Sequence, residues 1–283
     1  MKIGVSAFAW TKDFNQSHLA LLPKINEQGL AAFEIPMFEP RFDSGKLSAS
    51  EIRRAFEAND VECTVCAILP GGINPISADP SVRKRSLAHL MQCVETSAEL
   101  GAHLLGGPLY SPIGYLPGRR RNHDEWTWAL EAFNALVETL EANDITLSIE
   151  PVNRSETFFL TTAAEAKALC GALDHRRIGV TIDTFHANIE EKNIVDAIRD
   201  LGPRLKHLHA SENDRGLLGS GHMDFPAILA ALHDIEYDGC LMIEGFGYSP
   251  GEPGSLGALW GDLEVSPEDI AFKGATYLRS LNI

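Results

Sequence analysis

Short apolar runs alternate along the chain with longer stretches in which apolar positions recur every third or fourth residue. The first pattern predicts buried strands and the second amphipathic helices. A strand is expected over residues 2–8, then a helix over 15–28 that stops near Gly29. LAAFEI (30–35) reads as the second strand. SASEIRRAFEAND follows as a helix, its Ser48-x-x-Glu51 opening having the form of a capping box. VECTVCAIL (61–69) is the third strand, Asp79 to Leu100 a long helix, AHLLGG (102–107) the fourth strand, and Asp124 to Asn143 another helix. Four further runs of strand length come next: ITLSIE (145–150), IGVTID (178–183), LKHLHA (205–210) and CLMIEG (240–245). Helical stretches near 162–171, 189–200 and 225–234 separate them, and a last helix is expected over 266–280. Strict alternation of this kind implies parallel strands joined by helical crossovers. At this length the expected fold is α/β, a closed (β/α)8 TIM barrel spanning residues 1–283 as one domain. An open doubly wound sheet is the runner-up, but no G-x-G-x-x-G turn follows the first strand.

The last four strands share a further property: each finishes on or next to a metal-ligating residue type. These are Glu150, Asp183, His209 and Glu244. A charge at the end of a buried apolar strand is costly unless it is paired or metal-bound. In a barrel all four would reach the C-terminal rim, where active sites lie. Three carboxylates and an imidazole, without thiolates, suit Mn2+, with Co2+ or Mg2+ as alternatives, better than a structural zinc. Capping of the following helix or pairing with a lysine is the competing explanation for any one of them taken alone.

Composition narrows the partner. The chain has 283 residues, 45% hydrophobic and 22% charged, with a formal net charge of −15. A nucleic-acid partner would need a basic face, and the one basic cluster, Arg119-Arg120-Arg121, is too short to reverse the balance. No apolar run approaches the roughly 20 residues needed to span a bilayer, and the first residues read as a strand rather than a signal peptide. The five cysteines are odd in number and sit mostly in apolar segments, as in a reduced, cytoplasmic protein. Cys63 and Cys66 form a C-x-x-C, but inside a strand and with no second pair, so core packing is expected. Two long loops, Pro108 to His123 and Gly247 to Gly257, follow strands and are expected on the catalytic face as lids or binding surfaces.

Five strings carry a family resemblance: I-E-P-V-N-R-S-E (149–156), I-D-T-F-H-A-N-I-E-E (182–191), H-x-x-E-N-D-R (209–215), G-S-G-H-M-D-F (219–225) and M-I-E-G-F (242–246). The chain resembles the ketose 3-epimerases, acting on D-tagatose, D-psicose or L-ribulose, within the xylose-isomerase-like barrel superfamily. The resemblance implies a divalent cation held by Glu150, Asp183, His209 and Glu244, with the two glutamates moving the proton at carbon 3 through a cis-enediolate. It also implies that Glu156, His186 and Arg215 grip the substrate end nearest the carbonyl, and that the assembly is a homodimer or homotetramer. Helix-end packing for His186, and a surface ion pair with Asp214 or Glu212 for Arg215, are the competing explanations. Phe8, Trp10 and Phe246 lie near strand ends and could wall the sugar or simply pack. Two stretches depart from the family pattern. The loop after strand 4 carries Tyr110 and Tyr115 but no tryptophan, and the stretch after strand 2 differs although Glu34 is retained. The reaction machinery is thus expected to be intact while the sugar is left open. The rivals are a related isomerase, 3-keto-glycoside epimerase or dehydratase, an endonuclease IV-like phosphodiesterase, and a sugar binder without catalysis.

Overall fold

The computed structural model describes residues 1–40, 48–246 and 265–281. Eight parallel strands, β1 (Lys2–Ser6), β2 (Ala32–Met37), β3 (Glu62–Ala67), β4 (Leu104–Gly107), β5 (Thr146–Ile149), β6 (Ile178–Asp183), β7 (Leu205–Ala210) and β8 (Cys240–Ile243), close into a barrel in chain order. Pairing of β1 with β8, from Lys2 opposite Cys240 to Val5 opposite Ile243, completes the ring. The open doubly wound alternative is thereby excluded. The outer layer comprises α1 (Leu22–Glu27), α2 (Ala49–Ala58), α3 (Pro80–Glu99), α4 (His123–Ala142), α5 (Ala163–Leu173), α6 (Thr184–Glu190), α7 (Ile194–Leu201), α8 (Phe225–Asp234) and α9 (Gly274–Ser280).

Three helical elements differ from the sequence expectation. The helix expected over 15–28 begins as a 3-10 helix, Gln16–Leu21, and becomes α-helical where Pro23 enters the first turn of α1. Proline is tolerated there because its missing N–H would have no intrahelical acceptor. The helix expected over 189–200 is two helices. α6 starts directly at the end of β6, capped by Asp183, and Asn193 then caps α7 through the backbone N–H groups of Val195 and Asp196. The last helix opens with a π-helical turn, Asp269–Lys273, before α9. The predicted capping box at α2 is present, with Ser48 and Glu51 each accepting the other's backbone N–H.

Strand alternation divides the core into two chemically distinct parts. Val5, Phe33, Ile35, Val65, Leu105, Leu147, Val180, Ile182, Leu208 and Ile243 join the apolar layer beneath the helices. The alternate positions fill the barrel interior and are largely polar: Glu34, Thr64, Ser148, Thr181, Asp183, His207 and His209 are all buried. Buried polar groups need partners, and Thr181 Oγ1 donates to Ser148 Oγ at 2.6 Å across β5 and β6. Met242 helps fill the floor against Gly4, where a Cβ would come within 2.9 Å of the Met242 side chain and of the Ala32 carbonyl. Gly107, at the end of β4, has φ +120° and leaves a Cβ only 2.2 Å from the Ala67 carbonyl. The chain can leave the barrel there only as glycine. All five cysteines are free thiols; Cys63 packs in the apolar layer as expected, whereas Cys66 is buried toward the barrel interior and lines the rim cavity.

Candidate metal and substrate site

The C-terminal rim gathers the four strand-end residues. Asp183 is the last residue of β6 and pairs in register with His209 of β7. Glu150 and Glu244 follow β5 and β8 by one residue. Their backbone N–H groups still donate to the preceding strands, Glu150 to the Gly107 carbonyl and Glu244 to that of Ala210. All four are at least 96% buried. His209 Nδ1 lies 3.5 Å from Glu150 Oε1 and 3.8 Å from Glu244 Oε2. Ligand atoms of Glu150, Asp183 and His209 fall within 4.8 Å of one another. Neither ring nitrogen of His209 makes a hydrogen bond, although both are sealed from solvent.

Arg215 is drawn into this cluster rather than into a surface pair with Asp214 or Glu212. Its Nη1 donates to Asp183 Oδ2 at 2.5 Å, to Glu244 Oε2 and to Ser211 Oγ at 3.0 Å, while the guanidinium lies over Phe185 at 4.2 Å. Its backbone adopts φ +64°, uncommon for a residue with a Cβ. Two hydrogen bonds hold that conformation: Arg215 N–H to the Glu212 carbonyl and Phe246 N–H to the Arg215 carbonyl. The other Nη is 3.2 Å from His186 Nε2. His186 Nδ1 in turn contacts Asn153, whose side-chain amide donates to Glu156 Oε1 at 2.8 Å. Glu156, Asn153, His186 and Arg215 therefore form one continuous chain of contacts along one side of the cavity.

The electrostatics follow from burial opposed by neighbours. Burial raises the Asp183 carboxyl, but Arg215, His186 and His209 outweigh it and hold the group well below the usual carboxylate range. Burial also raises Glu244, and there His209 and Arg215 do not fully offset it against nearby Asp183 and Glu150, so the carboxyl is raised. Burial drives His186 down to about 3 despite Asp183, leaving a neutral ring between an arginine and an amide. Burial likewise raises Glu156, partly countered by Arg215.

The cavity over this cluster, about 120 Å3, has a mixed lining. Glu150, Glu156, His186, Arg215, Glu244 and the Cys66 thiol share it with the carbon surfaces of Phe8, Ile68, Pro108, Ile113, Val152 and Phe246. Phe8 and Phe246 touch, with ring centroids 5.6 Å apart. Trp10 is placed elsewhere. The 3-10 turn Ala7–Ala9 carries it outward to pack edge-on against Phe33, an apolar-layer residue, with its indole N–H on Glu268 at 3.2 Å. A larger open groove, about 660 Å3, lies outside the barrel along α5 and α7. It shares no residue with the carboxylate cluster, so chemistry rather than volume identifies the site. The loop 247–257 lies outside the described residues.

The geometry supplies three residues that the strand-end pattern did not single out. Asn153 was visible only as part of E-P-V-N. Ser211 follows the β7 strand end. Ile113 belongs to the β4–α4 loop, whose stretch 108–123 was expected to face the cavity and does so through Pro108 and Ile113.

Residues 22–281 match the family model of the xylose isomerase-like TIM barrel. A probable ketose 3-epimerase of Synechocystis sp. is 30% identical over 99% of this chain and 96% of its own length. The D-psicose 3-epimerase of Ruminiclostridium cellulolyticum is 31% identical over 95% and 92%. This chain belongs to the ketose 3-epimerase family. A crystal structure of D-psicose 3-epimerase with D-tagatose from Clostridium cellulolyticum superposes with a TM-score of 0.90 at 28% identity, covering 99% of each chain. The relatives are thus epimerases, enzymes of the isomerase class.

Proposed function

We propose that this protein inverts carbon 3 of a free ketose with two glutamates, one taking a proton from one face of the sugar and the other delivering a proton to the opposite face of its enediolate. The observation that carries the reading is the convergence of Glu150 and Glu244, from β5 and β8, on one buried cluster with Asp183 and His209 at the wall of a single cavity. The cluster fits a divalent cation. It assembles three buried carboxylates against one arginine, and His209 has two ring nitrogens without hydrogen bonds. An oxygen-rich set with one imidazole suits Mn2+, Co2+ or Mg2+. When held by Glu150, Asp183, His209 and Glu244, such an ion would supply Lewis acidity to the ketose carbonyl and so ease loss of the adjacent carbon-bound proton.

The chain's own groups perform the remaining steps. One glutamate carboxylate takes the proton from carbon 3 while its electron pair moves into the enediolate. The second, arriving protonated, returns a proton to the opposite face, and the reaction is redox-neutral. The roles exchange with the epimer supplied. Arg215 offers donors to the hydroxyl end nearest the carbonyl, neutral His186 offers a ring nitrogen, and Glu156 offers an acceptor. The aromatic pair Phe8 and Phe246 covers an apolar sugar face and excludes water. A homodimer or homotetramer in the cytoplasm completes the reading.

The test is proton exchange in D2O with D-fructose, D-psicose, D-tagatose and L-ribulose, beside 3-keto-glucosides. Deuterium at carbon 3 of at least one free ketose, together with its epimer, is expected. Exchange confined to the keto-glucosides would replace this substrate class by the glycoside one, and no exchange with any compound would overturn the proton-transfer scheme.

A further inference from the structure

Beneath the cavity, Glu34 of β2 is fully buried and does not line the space a sugar could enter. An ionised carboxylate at the centre of a barrel is expensive, so its partners should reveal its task. Its two oxygens face two imidazoles from β7. Oε2 lies 3.0 Å from His207 Nε2, and Oε1 lies 3.1 Å from His209 Nε2, the latter close but without the alignment of a full hydrogen bond. Thr64 Oγ1, on β3, approaches Oε2 at 3.5 Å. The opposite nitrogen of the same His209 ring, Nδ1, faces Glu150 and Glu244. The ring therefore spans two groups of carboxylates, one at the cavity wall and one at the floor.

We propose that Glu34 is a positioning residue for the cation: it accepts the Nε2–H of His209 and so fixes the tautomer whose Nδ1 lone pair points at the Glu150, Asp183 and Glu244 oxygens, while His207 anchors Glu34 from its other side. The physical case is general. A ligating histidine needs one bare nitrogen, and a carboxylate on the other nitrogen sets both the ring orientation and its basicity. Without Glu34 the floor would leave that nitrogen with no carboxylate, and the ring could carry its proton on the side meant for the ion.

The proposal rests on the cation site described above, and the experiment separates the two. Wild type and Glu34→Gln, both as the full metal-free chain, are titrated with Mn2+ by calorimetry, and the His209 ring is read by 15N NMR before and after loading with diamagnetic Mg2+. The expected result is cation binding weakened by roughly 10–100-fold in E34Q. Turnover at saturating Mn2+ should be largely restored, and wild-type His209 should carry a slowly exchanging proton on Nε2 that E34Q loses. Equal affinities with an unchanged tautomer overturn the positioning role and leave the cation site standing. A wild-type chain that binds no divalent cation overturns the site and the role together. Should E34Q fail to fold, the wild-type spectrum alone decides: a bare Nε2 in the loaded protein refutes the proposal, and a protonated one supports it.

Discussion

The two halves of the barrel carry different work. From β5 to β8 every strand delivers an ionisable side chain to the rim, and these side chains touch one another through His209, Arg215 and His186. From β1 to β4 the segments after the strands bring mostly carbon: Phe8, Ile68, Pro108 and Ile113 face the same cavity without a charge among them. One half thus gathers the ionisable groups and the other presents carbon to whatever stands beside them. A fold with symmetric topology has here been used asymmetrically, so changes to the two halves should separate in their kinetics.

The sharpest way to break this comparison is to remove one proton carrier. Glu150→Gln or Glu244→Gln should lower kcat by on the order of 10²–10⁴-fold, with a melting temperature close to wild type. Near-normal turnover in either variant would show that the proton travels by another route. A gentler change sharpens the contrast from the other side. Ile113 is only partly covered and contributes packing alone, so Ile113→Ala should raise KM for the preferred ketose by roughly 3–10-fold with little change in kcat. A loss in kcat comparable to that of the glutamate variants would mean that the apolar half also acts on the reacting atoms. The smallest effect lies outside both regions. Glu125 closes the capping box of α4 with Asn122 and pairs with Arg119 at 2.7 Å. Burial raises its carboxyl, yet Arg119 and the Asn122 N–H together hold it below the ordinary 4.5. A depressed carboxyl stabilises the fold above its unfolded value and loses that contribution as pH falls. Glu125→Gln should therefore cost about 1 kcal/mol at neutral pH, and thermal melts should show the gap to wild type closing as pH drops below that value.

The same asymmetry explains what could be read from the amino-acid order. The barrel was legible because apolar runs of strand length alternate with helical periodicity throughout. The chemistry of β5–β8 was legible because a carboxylate or imidazole at the end of an apolar strand stands out against its neighbours. Of the two readings open for Trp10, packing prevails for a local reason: the strand expected over 2–8 ends at Ser6, and the 3-10 turn after it sends Phe8 to the cavity and Trp10 to pack on Phe33 and Phe272. The task of Glu34 was hidden for a tertiary one. A carboxylate within LAAFEI and a histidine pair within LKHLHA are each visible, but only closure of the ring brings β2 and β7 face to face across the interior. The division of the helix expected over 189–200 turns on Asp183, which begins α6 as its cap while belonging to the buried carboxylate cluster. A residue with two duties leaves a pattern that fits neither cleanly.

Closure of β1 onto β8 also sets the order in which this protein can acquire its centre. Glu34 and the β7 histidines come from distant parts of the chain, Glu34 and His207 standing 173 positions apart. A contact of that sequence separation forms late, after the loop entropy of most of the polypeptide has been spent. The pairing of Glu34 with the β7 histidines is therefore a reporter of ring closure, since it forms only once β2 and β7 face each other across the interior.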